Sequence, residues 1–287
     1  MASALLPKGL KVDWDGYTPA ELERRDQKRR LDGLVVPCFG LWYLAQAASV
    51  TGSGAAAATA AAAPASGLVL GVRLALAALA AYVLAVHVFA FPAPTAAQDA
   101  YKAQEALGRW IYLTRHCVTL QAWHQLLSLL GSFYPWLAAL THGISIWIAA
   151  LGWFVSVQYF VLVTPSPQFK EDCALWQGRG VHFREIGALL HAPALPIAVA
   201  DLLLGKGAAV LREAVVLRSS LAVMVAYVLL YLALIVLNYL ATGLWPYGFM
   251  KSFGTDLRRW VSFIAGQCGV MLAFLTANWL LLLLKTA

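Results

Sequence analysis

Apolar residues gather in runs of about 20, the length that carries a helix across a bilayer, and polar residues are confined to short connections between them. Six runs stand out, at roughly 67–92, 109–132, 136–163, 184–204, 216–243 and 258–284. An earlier one begins at Gly33 and continues through "VVPCFGLWYLAQAASV". The first 32 residues read as a polar extension. Within it, "TPAELERRDQKRRL" places Thr18 as N-cap, Pro19 at the first helical position and Glu21 three residues after the cap, the capping box of a short surface helix. Residues 51–67, "TGSGAAAATAAAAPASG", fit a loop or a continuation of the first helix, because alanine repeats carry no period. The "GSFYPW" turn is tight enough to fold its flanking helices into an antiparallel hairpin. The longest connection, 164–183, has 20 residues and leaves no room for a soluble domain. The pattern predicts an all-α, polytopic transmembrane helical bundle. It divides into a polar extension at 1–32, an extra membrane span with the Ala-rich segment at 33–66, and a six-helix domain at 67–287.

The distribution of Lys and Arg tests the number of spans. If 33–50 crosses the membrane, one face receives the seven basic residues of the N-terminal extension. It also receives three each from 102–115, 170–184 and 251–259, or 16 of the 21 in all. If 33–50 only dips in, the split is nine to 12 and the bias vanishes. Basic residues concentrate on the face that is not translocated, which favours seven spans with the N-terminus on the cytosolic or matrix-like side.

Composition agrees with this. The chain is 61% hydrophobic and 12% charged, with mean hydropathy +0.70, far from the balance of a soluble domain. A net charge of +7 would suit a nucleic-acid binder, but the basic residues flank apolar spans, so nucleic acid is excluded as a partner. Cys38, Cys117, Cys173 and Cys268 form no CxxC and have no His at zinc-finger spacing, and are expected as small buried hydrophobes. No ordinary signal peptide opens the chain. Six acidic residues among the first 32 argue against a mitochondrial presequence, so targeting is expected in the first span or internally. The endoplasmic reticulum and the mitochondrial inner membrane both remain open.

Polar groups inside a membrane are costly and therefore mark candidate sites. Thr114 lies about five residues into its span and His191 about seven into "REIGALLHAPALPIAVADLL". Both spans enter from the basic face, so both side chains sit roughly 7 to 11 Å below it and can meet. The end of the 216–243 span, "LNYLATGLWPYGF", brings Asn238, Tyr239, Thr242, Trp245 and Tyr247 to the same leaflet. Together they suggest a shallow pocket open to lipid. The bland alternative is a Thr bonded back to its own helix and an ordinary aromatic belt. Pro193 and Pro196 break the helix beside His191 and free carbonyls that need partners. His191 can act there as a general base or merely satisfy that backbone. Asp201 lies ten residues further on, about 15 Å along the axis, too deep to join His191 in a triad. His116 and His124 share a helix face but lack partners for a metal, and His87 and His142 read as packing residues. Arg73 and Arg115, near span ends, are expected to snorkel. No GxSxG, phosphate loop or paired carboxylates occur, and no metal or cofactor is expected.

Three blocks resemble those of the androgen-induced membrane proteins, also called the androgen-dependent TFPI-regulating group. These are polytopic threonine hydrolases of fatty acid esters of hydroxy fatty acids. "GRWIYLT" (108–114) is similar to the family's Gly-x-Trp-aromatic-Leu-Thr block, "HAPALP" (191–196) to its His-x-x-x-Leu-Pro block, and "TGLWPYGF" (242–249) to the block closing its penultimate helix. The resemblance covers roughly residues 67–284 and implies Thr114 as nucleophile and His191 as its base. It also implies a lipid ester substrate taken from the membrane, held near Asn238, Thr242, Trp245 and Tyr247. Which of Asn238, Thr242 and Tyr247 would face a developing oxyanion is left open. The chain departs from the family pattern in having "GALL" where an Asn-His usually precedes the catalytic His, and Asp201 where the family has Glu. Those departures, and an N-terminal extension without counterpart, motivate a second expectation. It is a non-catalytic accessory subunit of a large organellar membrane complex, whose residues 1–66 contact other membrane subunits.

Overall fold

The computed structural model describes residues 5–52, 55–62, 65–92, 94–95 and 98–287, and among them every regular element is helical. Six segments are long and apolar enough to cross a membrane: Pro19–Thr51, Gly67–Ala90, Ser145–Val163, Phe183–Gly205, Leu217–Thr242 and Leu257–Thr286. The chain is an integral, multi-pass membrane protein. In chain order its helices are α1 (Pro19–Thr51), α2 (Ala55–Ala61), α3 (Gly67–Ala85, prolonged by a π-turn, Val86–Ala90), α4 (Asp99–Ala103) and α5 (Leu113–Leu130). They continue with α6 (Pro135–Gly143), α7 (Ser145–Gln158, with a π-turn at Tyr159–Val163), α8 (Pro167–Gln177), α9 (Phe183–His191) and α10 (Ala194–Ala200, with a π-turn at Asp201–Gly205). Last come α11 (Ala208–Ala214), α12 (Leu217–Thr242) and α13 (Leu257–Thr286).

α1 begins where the capping box places it: Glu21 N–H donates to Thr18 Oγ1 at 3.3 Å and Thr18 N–H to Glu21 Oε2 at 2.9 Å. It is not a short surface helix, however. Nothing between Arg30 and Leu34 stops it, and it runs 33 residues through Pro37 to Thr51. The extension and the first span are thus one rod. Gly40 opens a slot in that rod: a Cβ there would sit 2.7 Å from the Trp123 ring, whose Nε1–H donates to Val36 O at 2.8 Å. The residues before α1 are also packed. Leu6, Val12 and Tyr17 are buried in a satellite core with Trp176, Val181 and Val86. The Ala-rich segment resolves into a separate short helix. Ala58 of α2 lies against Ala139 of α6 and Val210 and Ala214 of α11, where only small side chains allow so close an approach.

α5 is the axis of the bundle. It is 18 residues long and joins the same two ends as the six apolar segments, yet it is not apolar enough to be one of them. It starts at Leu113, after a 3-10 turn at Gly108–Ile111, rather than at residue 109. Arg115, His116, Thr119, Gln121, His124, Gln125 and Ser128 are all buried by neighbouring helices. Arg115 does not snorkel: it is fully buried and ion-paired to Asp32 of α1 at 2.5 Å, with its guanidinium 5.0 Å over the Trp110 ring. Arg73 is buried as well, donating to Gly205 O and Ser132 Oγ, each at 2.8 Å. In both cases the cation is bonded by acceptors inside the bundle. The expected span 136–163 is two helices, α6 and α7, interrupted at Ile144, next to Gly143, which abuts Thr51 and Ala214. Among the cysteines only Cys117 is buried; Cys38 is exposed, and Cys173 and Cys268 are half-buried.

Polar ties gather at the two ends of the bundle. At one, Arg179 pairs with Glu21 at 3.4 Å, Lys28 donates to Gln104 at 2.6 Å, and Lys251 pairs with Asp99. At the other, Lys285 donates to the carbonyls of Leu202, Leu203 and Lys206, and Arg212 to that of Thr286. The ends of α5 and of the six apolar segments, α1 among them, therefore alternate as seven traverses require. Asp32→Ala should strand the Arg115 cation and lower stability by about 3–5 kcal/mol, with part of the loss recovered in Asp32→Ala/Arg115→Met. Thermal unfolding of the purified variants checks this, and an unchanged Asp32→Ala would show that the pair carries no such weight.

Candidate functional site

The first turn of α5 and the end of α9 meet near the basic face. Thr114 Oγ1 lies 2.9 Å from His191 Nε2. The other ring nitrogen, Nδ1, is 2.6 Å from Gly187 O, one turn back in α9. A carbonyl only accepts, so Nδ1 carries the proton and Nε2 presents its lone pair to the Thr114 hydroxyl. That is the tautomer in which an imidazole withdraws a proton from an alcohol. Tyr159 packs flat on the imidazole, with centroids 3.8 Å apart and planes 10° from parallel.

The break predicted at Pro193 is present, with α9 ending at His191 and α10 starting at Ala194. Ser156 of α7 repairs it. Its hydroxyl donates to His191 O at 2.6 Å and accepts from Leu195 N–H at 3.1 Å, replacing the direct bond a continuous helix would make. Gln121 donates to Ala194 O at 2.8 Å. A side chain at Gly152 would collide with both, since its Cβ would stand 2.3 Å from Gln121 Nε2 and 2.8 Å from Ala194 O. His191 is therefore held by α5, α7 and its own helix at once.

Two clefts converge on the pair. One, of about 140 Å³, lies among α7, α12 and α13 and is walled by apolar side chains including Phe154, Leu232, Ile235 and Phe263. The other, of about 230 Å³, lies at the basic end and is walled by Arg109, Gln98, Asp172 and Lys251 among others. Thr114 and His191 line both. Burial raises the Asp172 carboxyl above its ordinary value, against the opposing effect of the Gln168 and Gln98 amides.

Of the other expected substrate contacts, Tyr247 lines both clefts and Trp245 the polar one. Asn238 and Thr242 line neither; Asn238 donates to Ala103 O at 3.0 Å, tying α12 to α4, and Thr242 donates to Asn238 O at 2.8 Å. Asp201 is remote from His191, as its depth predicts, and pairs with His124 at 2.8 Å and Lys206 at 3.5 Å. His116 bonds to Tyr227 and Trp110 O, His87 contacts Arg115, and His142 bonds to Ala138 O and Gly207 N–H. No group of three or more potential metal ligands occurs among the described residues. Ser156 and Tyr159 were not singled out in the sequence. The signal available for Ser156 was a serine inside the largely apolar run "WFVSVQYF".

Comparison with known proteins finds no matching family model, curated protein or solved structure. His191 labelled with nitrogen-15 should show the neutral Nδ1–H tautomer by NMR at neutral pH. A proton on Nε2 instead would remove the acceptor facing Thr114.

Proposed function

We propose that the chain is a membrane-embedded hydrolase of fatty-acyl esters, acting on fatty acid esters of hydroxy fatty acids with Thr114 as nucleophile and His191 as base. The observation that carries the reading is the Thr114–His191 contact, in the reactive tautomer, at the meeting point of an apolar and a polar cleft. A hydroxyl bonded back to its own helix would serve packing alone; this one is bonded across helices and lines open space.

The chemistry follows from the placement. An acyl chain drawn from the bilayer lies in the apolar cleft, with its ester carbonyl between the clefts. His191 Nε2 takes the Thr114 proton as Oγ1 attacks the carbonyl carbon, and the tetrahedral adduct collapses as the same proton passes to the departing alkoxide. The hydroxy-acid product leaves through the polar cleft. Water enters by that route, gives its proton to His191 and attacks the acyl-threonine. The acid is released and the Thr114 hydroxyl is restored. Such an enzyme would work in the endoplasmic reticulum or the mitochondrial inner membrane, and needs no metal or cofactor for this sequence of steps.

Purified protein should react covalently with a fluorophosphonate and hydrolyse a fatty-acyl ester of a hydroxy fatty acid. Thr114→Ala and His191→Ala should each lose about 10³-fold or more in rate. Labelling that survives in Thr114→Ala would overturn the assignment of the nucleophile. Absence of labelling in the wild type, with co-purification of a defined set of membrane subunits bound through residues 1–66, would favour the non-catalytic accessory subunit.

A further inference from the structure

Attack on an ester places a negative charge on the former carbonyl oxygen, and fixed donors at that point are worth more in a dry site than in water. Six residues line both clefts and so form the neck in which the carbonyl sits: Thr114, Tyr159, Val163, His191, Tyr247 and Phe249. Setting aside Thr114 and His191, only the two tyrosines carry a side-chain donor. Tyr159 presents its ring to His191, and its hydroxyl lies against Gly187, where an added Cβ would come within 2.4 Å. Gly187 is the residue bonded to Nδ1, on the side of the imidazole away from Thr114. The Tyr159 hydroxyl therefore faces away from the reacting atoms.

Tyr247 is placed differently. Its oxygen accepts the Leu113 N–H at 3.0 Å, which seats the phenol on the first turn of α5, one residue before the nucleophile. Its own proton is not committed to the backbone. Tyr231 donates to Ile111 O at 3.0 Å, so the Tyr231 oxygen is the acceptor for the Tyr247 hydroxyl, also 3.0 Å away. We propose that the Tyr247 hydroxyl is the oxyanion donor of the hydrolase reaction proposed above, on which this inference rests. On attack its O–H turns from the Tyr231 oxygen to the substrate oxygen. Nothing is orphaned, because Tyr231 keeps its own bond to Ile111. The Thr114 N–H, second in α5 and without an acceptor inside the helix, supplies the companion donor at the positive end of the helix dipole. The carbonyl π pair moves onto oxygen as Oγ1 bonds to carbon, the Thr114 proton resides on His191, and the Tyr247 proton is shared but not transferred. Burial raises the Tyr247 phenol above its ordinary value, so it stays a neutral donor wherever the imidazole is a base.

The test is steady-state hydrolysis by the full-length protein in detergent or bilayer discs, with Tyr247→Phe and with 3-fluorotyrosine at position 247. Tyr247→Phe should lower kcat by about 10²–10³-fold with little change in KM. Its affinity for a trifluoromethyl ketone, which mimics the adduct, should fall by the same factor as kcat/KM. The fluorinated residue keeps the hydroxyl and should keep most of the rate. Wild-type kcat in Tyr247→Phe would overturn the proposal. So would a loss matched by the drop in folded protein, or equal loss in the fluorinated protein. A wild type that hydrolyses nothing would overturn the hydrolase reading, and hydrolysis that survives Thr114→Ala would overturn the assignment of Thr114 as nucleophile; either takes this inference with it. Intact Thr114-dependent hydrolysis in Tyr247→Phe would overturn this inference alone.

Discussion

The constraint on which this architecture depends is the need to satisfy α5. A helix bearing Arg115, His116, Thr119, Gln121, His124, Gln125 and Ser128 cannot face hydrocarbon, where each unbonded polar group costs several kcal/mol. Its neighbours supply the partners. α1 brings Asp32 to Arg115 and Tyr43 to His124; α12 brings Tyr227 to His116; the broken α9–α10 segment offers Ala194 O to Gln121 and Asp201 to His124. Helix association inside a membrane has no hydrophobic drive of its own, so this set of cross-helix bonds, with close packing at Gly40 and Gly152, must do that work. It also explains why α1 is continuous. Cutting it at residue 33 would separate Asp32 from the span that carries Tyr43.

The same bonds create three hydroxyl–imidazole pairs between helices, Thr114–His191, Tyr43–His124 and Tyr227–His116, and of these only Thr114–His191 has both members on a cleft. Tyr43, His124 and Asp201 stand in a row, with contacts of 2.7 and 2.8 Å, in the order of a nucleophile, a base and an orienting carboxylate. All three are buried, and neither of the two converging clefts is lined by them. With Lys206 paired to the same carboxylate, this row is a clamp that closes the far end of the bundle. Thr114 and His191 lack a carboxylate but border open space. Hydrogen-bond geometry alone would have favoured the buried row; the clefts decide between them.

The helical bundle, the capping box at Thr18, the break at Pro193 and the common depth of Thr114 and His191 were legible because each follows from periodicity, a local motif or rise per residue. Three things were not. The length of α1 turns on the absence of a stop signal, and a polar stretch within a helix looks the same as a polar extension. The burial of Arg115 depends on Asp32, which lies 83 positions earlier and carries no sequence mark of its partner. Asn238 and Thr242 share a helix end with Tyr247, yet only the chain's path after Gly243, whose φ of 71° turns it back over α5, decides which of them reaches the clefts.

That His191 is oriented by a carbonyl rather than a carboxylate has a physical rationale in this setting. An ionised carboxylate at this depth would need its own counter-ion, as Asp201 needs Lys206. Gly187 O fixes the tautomer at no cost in charge, and the missing side chain at Gly187 is what allows Tyr159 to cover the ring. The exchange has a consequence. A carboxylate also stabilises the imidazolium that forms as the proton arrives, whereas a carbonyl dipole does so only weakly. In the proposed reaction more of the barrier would then have to be lowered on the substrate side, by holding the ester in place and by donors to its oxygen. On the proposed reaction, the start of α5 beside Thr114 and the aromatic side chains around the neck would serve both ends.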